Sequence, residues 1–134
     1  MVKKLFLIVF AVFVGFILVS SGVLFFLSRG LDETLEVEIV GIDLSNVEDG
    51  VYQGTYENRR FSNTLEVHVE NHEIVDIIVI DDMTLTQDGV TEEVFARVMA
   101  LQSTDIDMVA GASVTTTAYL KAIENALKGG MIHE

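Results

Sequence analysis

Hydrophobic and polar positions along the chain divide it into one long apolar block and a finely alternating remainder. Leu5 to Leu27 is 23 residues without a charge. As a helix it is roughly 34 Å long, enough to cross a hydrocarbon core of about 30 Å. Within the acidic stretch 30–48, Leu35, Val37 and Ile39 alternate, which predicts a short strand or an extended tether. Folded structure is expected from Ile42-Asp43-Leu44. Asp49 to Tyr56 then reads as a turn and a strand with Tyr52 and Tyr56 on one face. Leu65 to Glu70 alternates strictly, as a half-buried strand does, and Asn71-His72 suits a two-residue turn because both residues tolerate positive φ. Ile74 to Ile80 is apolar on both faces apart from Asp76, which predicts a central strand paired antiparallel with its predecessor. After a polar loop, Asp81 to Gly89, a helix is expected from Thr91 with Val94, Val98 and Leu101 on its buried face. A second helix covers Ala118 to Lys128, buries Tyr119, Ile123 and Ala126 or Leu127, and stops at Gly129-Gly130. The sum is an α+β fold, a small antiparallel sheet packed with two helices and preceded by one transmembrane helix. Its expected divisions are an anchor (1–29), an acidic tether (30–41) and a domain (42–134).

Charge sharpens that division. Residues 1–29 hold Lys3, Lys4 and Arg29 and no acid, while the other five basic residues face all 21 acids, a formal charge of −16. Such a domain repels nucleic acid and anionic surfaces, and no basic stripe interrupts it, so nucleic acid is excluded as a partner. The absence of Cys excludes disulfides, thiolate metal sites and thiol catalysis. The apolar run exceeds the roughly 7–15 residues of a signal-peptide core, and no small-x-small cleavage site follows it cleanly. A retained single-pass anchor is therefore favoured over a cleaved signal. Lys3 and Lys4 against Arg29 place the N-terminus in the cytoplasm and the acidic domain outside the cell membrane.

Candidate chemistry concentrates just before the last helix, in Asp107-Met108-Val109-Ala110-Gly111-Ala112-Ser113-Val114-Thr115-Thr116-Thr117. Small residues permit close approach to the backbone, and a helix N-terminus offers unpaired amides and the positive end of the macrodipole. Ser113, Thr115 and Thr116 are thus candidates either for simple capping or for holding a phosphate, bound or esterified. Other chemistries fit poorly. Gly111 to Thr115 lacks the closing Gly of a nucleophile elbow, and the only later histidine is His133 in the tail. His68 and His72 stand about 13 Å apart along a strand, too far to share a metal, and read as exposed, solvated side chains. Asp81, Asp82 and Asp88 lack the spacing of a calcium loop. No metal site is expected.

Asp107-x-x-Ala110-Gly111-Ala112-Ser113 resembles the flavinylation motif of the FMN-binding domain family. Members include the flavin-carrying C subunit of sodium-pumping NADH:quinone oxidoreductase and the G subunit of Rnf complexes. That motif reads Asp, two variable residues, Ser or Thr, Gly, Ala, then Thr or less often Ser. Asp49-Gly50-Val51-Tyr52-x-Gly54, the hairpin after it and the run Val98 to Leu127 are similar too, so the resemblance covers residues 42–128. It implies that Ser113 takes FMN through a phosphoester bond, installed from FAD by a flavin transferase that recognises Asp107. It implies further that the domain exchanges electrons with membrane redox proteins, as a carrier more than a stand-alone enzyme. Ala110 departs from the motif, standing where the family has a hydroxyl. The alternative it keeps open is a binding or structural module with the fold and no covalent flavin. Tyr52, Tyr56, Met83 and Thr84 are the candidates to pack on the flavin ring.

Overall fold

The structure, a computed structural model, describes residues 1–131. Helix α1, Val2–Ser28, contains the whole apolar run and buries none of it against the rest of the chain. It is long and apolar enough to cross a membrane. Three antiparallel strands follow, β1 (Gly50–Tyr56), β2 (Asn63–Glu70) and β3 (Glu73–Asp81), in the spatial order β1-β2-β3. Helices α3 (Val90–Leu101) and α4 (Ser113–Gly129) complete the α+β domain. Asn71 and His72 both have positive φ, 53° and 62°, the turn that a right-twisted two-residue hairpin requires.

The core lies between α4 and one face of the sheet. Leu65, Val67 and Val69 of β2 point inward at alternate positions and meet Tyr119, Ile123, Ala126 and Leu127 of α4. Close helix–sheet contact depends on Gly54 in β1. A Cβ there would collide with Ala122 O and stand 2.7 Å from Ala126 Cβ. Gly54→Ala is therefore expected to destabilise the domain by about 1–3 kcal/mol, read from urea unfolding. An unchanged midpoint would mean that the helix does not sit this close.

The strand from Ile74 to Ile80 is at the sheet edge, not its centre. Its pairing with β2 shifts register twice, between Thr64 and Leu65 and between His68 and Val69. These irregularities break strict alternation, so Ile74, Ile77 and Val79 turn inward while Ile78 and Ile80 stay 40% and 52% exposed. Such irregularities also make the open edge a poor template for further pairing. On α3 the buried positions are Val90, Val94, Phe95 and Val98; Leu101 is 63% exposed. Leu101 is the last helical residue, and Gln102 (φ 51°) turns the chain away beneath it. The Gln102 amide then pairs with both backbone groups of Ile74, accepting at 2.6 Å and donating at 2.9 Å.

Residues 30–41 do not form a strand. Gly30 (φ 85°) ends the anchor, and Leu31–Leu35 makes a short helix, α2. Thr34 is fully buried, its hydroxyl 2.9 Å from Tyr56 Oη, so this segment is tied to the sheet.

Candidate functional site

Side chains from three places fix the loop between α3 and α4. Arg97 of α3 pairs with Glu93 one turn earlier at 2.7 Å. Its Nη1 donates to the carbonyls of Asp107 (3.0 Å) and Met108 (3.4 Å). Glu124, fully buried on α4, accepts from the Thr104 hydroxyl at 2.9 Å and from Gly41 N at 2.7 Å, with Lys121 Nζ 3.5 Å away. Those partners offset the cost of burying a carboxylate. Thr116, also fully buried, donates to Ala112 O at 2.7 Å and accepts from Val109 N at 3.4 Å. The loop is held before any ligand arrives.

What the loop presents is an uncapped helix start. Gly111 has φ 75°, a conformation that favours glycine, and an added Cβ would meet nothing within 4 Å. Backbone shape, not crowding, calls for glycine here, and the space above it is open. Ala112 occupies the N-cap position and has no side chain to cap with. The first backbone bond of α4 runs from Thr116 N to Ala112 O at 2.9 Å. The amides of Ser113, Val114 and Thr115 therefore precede any intrahelical acceptor. Thr116 and Thr117 bond back to the carbonyls of Ala112 and Ser113. The hydroxyl run is not a capping device.

This helix start borders a cleft of about 380 Å³. Gly111, Ala112, Ser113, Val114 and Thr115 form one wall; Leu85, Thr86 and Gln87 form another. Arg60, Phe61, Leu27 and Leu31 close the third side. Gln87 Nε2 donates to Gly111 O at 3.4 Å, linking two walls. Arg60 is the cation of the cleft, its guanidinium 4.2 Å above the Phe61 ring. Beneath the 82–89 loop, Tyr119 donates to Asp82 at 2.6 Å and meets the Thr91 hydroxyl at 2.9 Å. Burial and the Asp82 carboxylate push this phenol well above its usual range, so it stays a neutral donor anchoring the loop.

Gly111, Ala112, Ser113 and Thr115 thus come together at the cleft, with Ser113 exposed. Asp107 and Ala110 are exposed on the loop outside it, and Thr116 faces the interior. Tyr52 and Tyr56 are elsewhere: their hydroxyls bond Glu48 O and Thr34. Met83 is a core residue, and Thr84 gives its amide to Arg60 O at 3.1 Å. Arg60, Phe61 and Gln87 carry no periodicity or motif. Their one trace in the sequence is Arg59-Arg60, two adjacent cations in a strongly acidic domain. His72 is not merely solvated: its Nδ1 lies 2.8 Å from Val47 O, so that nitrogen carries the proton. His68 lies 3.6 Å from Glu66, and His133 falls outside the described residues.

Residues 32–128 match the FMN-binding domain family. The chain belongs to that family. No curated protein matches it. The matched FMN-binding domain takes in α2, the whole sheet, both later helices and the cleft. The cleft suits the cofactor it implies. FMN joins an anionic phosphate to a broad apolar ring; the cleft offers three open amides and a hydroxyl beside Phe61, Leu85, Leu27, Leu31 and Val114.

Proposed function

We propose that this FMN-binding domain is a membrane-anchored, extracytoplasmic electron carrier that holds FMN on Ser113 through a phosphoester bond. The observation that carries the reading is the exposed Ser113 hydroxyl at an uncapped helix start, opening on a cleft able to take a flavin. In the modification, Ser113 Oγ forms the bond to phosphorus and loses its proton, while the pyrophosphate bond of FAD breaks and AMP leaves. Asp107 and Ala110 lie exposed beside the acceptor, where a flavin transferase can reach them. The amides of Ser113, Val114 and Thr115 and the Arg60 guanidinium face the remaining negative charge. Leu27, Phe61 and Leu85 supply apolar surface for the ring and exclude water from it. Bound FMN contributes one- and two-electron chemistry; the chain contributes position, charge and partner access. The electron donor and acceptor are membrane redox proteins in this reading.

Anchoring follows from α1, whose apolar surface has no cover in the domain. The chain is expected to stay with membranes after carbonate washing; a shortened soluble form would indicate a cleaved signal instead. For the cofactor, the chain is purified in detergent from a host that also makes a flavin transferase. Flavin absorbance that survives denaturation and gel filtration is the expected result. Ala110 favours the second reading, a module without covalent flavin. A colourless chain from that host would decide for it.

A further inference from the structure

Three arginines gather where α1 meets the domain. Arg29 follows the last turn of α1, Arg59 and Arg60 lie in the turn after β1, and with Phe26 they line a pocket of about 70 Å³. A set of specific bonds brings them together. Arg60 Nε donates to Leu27 O at 2.9 Å, and Asn58 Nδ2 donates to Gly30 O and to Thr34 Oγ1, each at 3.0 Å. At Gly30 an added Cβ would stand 2.8 Å from Asn58 Oδ1, so the junction has no slack.

In a domain this acidic, cations should find carboxylates, and Arg97 and Lys121 do. Among the described residues, none of the ion pairs involves Arg29, Arg59 or Arg60, although Asp32, Glu33 and Glu57 are close in sequence. Arg29 and Arg59 are exposed. Arg29 lies over Phe25 at 5.5 Å and Arg60 over Phe61, so aromatic faces orient the two guanidinium groups.

We infer that Arg29, Arg59 and Arg60 form a binding site for the phosphates of anionic phospholipid headgroups. The inference rests on α1 being a membrane anchor. Guanidinium forks match phosphate oxygens in pairs, and the end of an apolar spanning helix is the depth at which headgroups lie. The rest of the domain is acidic and is repelled by an anionic surface. The three arginines give it one attractive end. That end carries the cofactor cleft, because Arg60 lines both pockets and Leu27 lines the cleft. Docking therefore holds the cleft at headgroup level, within reach of partners embedded in the membrane.

The chain has no cysteine, so a single spin label at Thr84→Cys, exposed and next to Arg60, reports the depth of this end. The full chain is reconstituted in phosphatidylcholine vesicles with and without phosphatidylglycerol. Anionic lipid is expected to bring the label closer to a lipid-dissolved paramagnet and shield it from a water-dissolved one, with salt reversing both. Each Arg→Gln change should lower the docked-to-undocked ratio about fivefold, whereas Arg→Lys at the same positions should restore most of it. If the triple Gln variant melts early, R29Q/R59Q leaves the Arg60–Leu27 bond in place and serves instead. Equal depth in both lipids, or an unchanged depth in a stably folded Gln variant, would overturn the proposal. Stronger undocking by inorganic phosphate than by chloride of equal ionic strength would assign the arginines to free phosphate and overturn it too. Loss of the wild type from carbonate-washed membranes, scored separately, would overturn the anchor.

Discussion

Ser113→Ala is expected to abolish covalent flavin completely while leaving the thermal midpoint almost unchanged. Ser113 is exposed, its hydroxyl makes no bond within the domain, and it neither caps α4 nor fills the core. Removing it takes away only the acceptor oxygen. A helix N-terminus stabilises one partly exposed negative charge by about 0.3–1 kcal/mol, too little to retain FMN without a covalent link. The variant should therefore lose both the flavin mass increment and fluorescence in denaturing gels, and Ser113→Thr should keep both. Covalent flavin persisting in the alanine variant would move the acceptor to Thr115, which also lines the cleft. Thr116 is a poor substitute, because its buried hydroxyl is already committed to Ala112 and Val109.

Ile123→Ala is expected to destabilise the domain by about 2–5 kcal/mol, the range for emptying a fully buried aliphatic site. Ile123 is completely buried on α4, with Leu120, Ala122, Ala126 and Leu127 buried around it. Neighbours on a helix and a sheet collapse only partly into such a void. The loss should appear as a lower urea midpoint with the unfolding slope retained. A midpoint equal to the wild type would show that α4 does not form the core against the sheet.

How much of this could be read from the sequence depended on whether one local rule governed each segment. β2 alternates cleanly because one face meets α4 and the other faces solvent, so Leu65, Val67 and Val69 were identifiable as core. Asn71-His72 gave its turn because positive φ is a local property. β3 misled, since its register shifts place Ile74, Ile77 and Val79 inward at unequal spacing. Leu101 sits on the helical stripe but at the helix end, where packing stops. Around the cleft, Gly111 and Ser113 could be picked out because they fall within one short motif. The meaning of the hydroxyl run could not, for capping and phosphate binding ask for the same residues. Ala112 at the N-cap decides that question structurally. Arg60, Phe61, Leu27 and Gln87 reach the cleft through tertiary folding alone, and nothing in their own neighbourhoods marks them.

The central claim is that Ser113 carries FMN. Its most direct test is the intact mass of the full chain made beside a flavin transferase, followed by mass mapping of the peptide that contains Ser113. The expected result is one FMN phosphoester increment per chain, localised to Ser113. An unmodified mass from a host whose transferase demonstrably loads another substrate would contradict it.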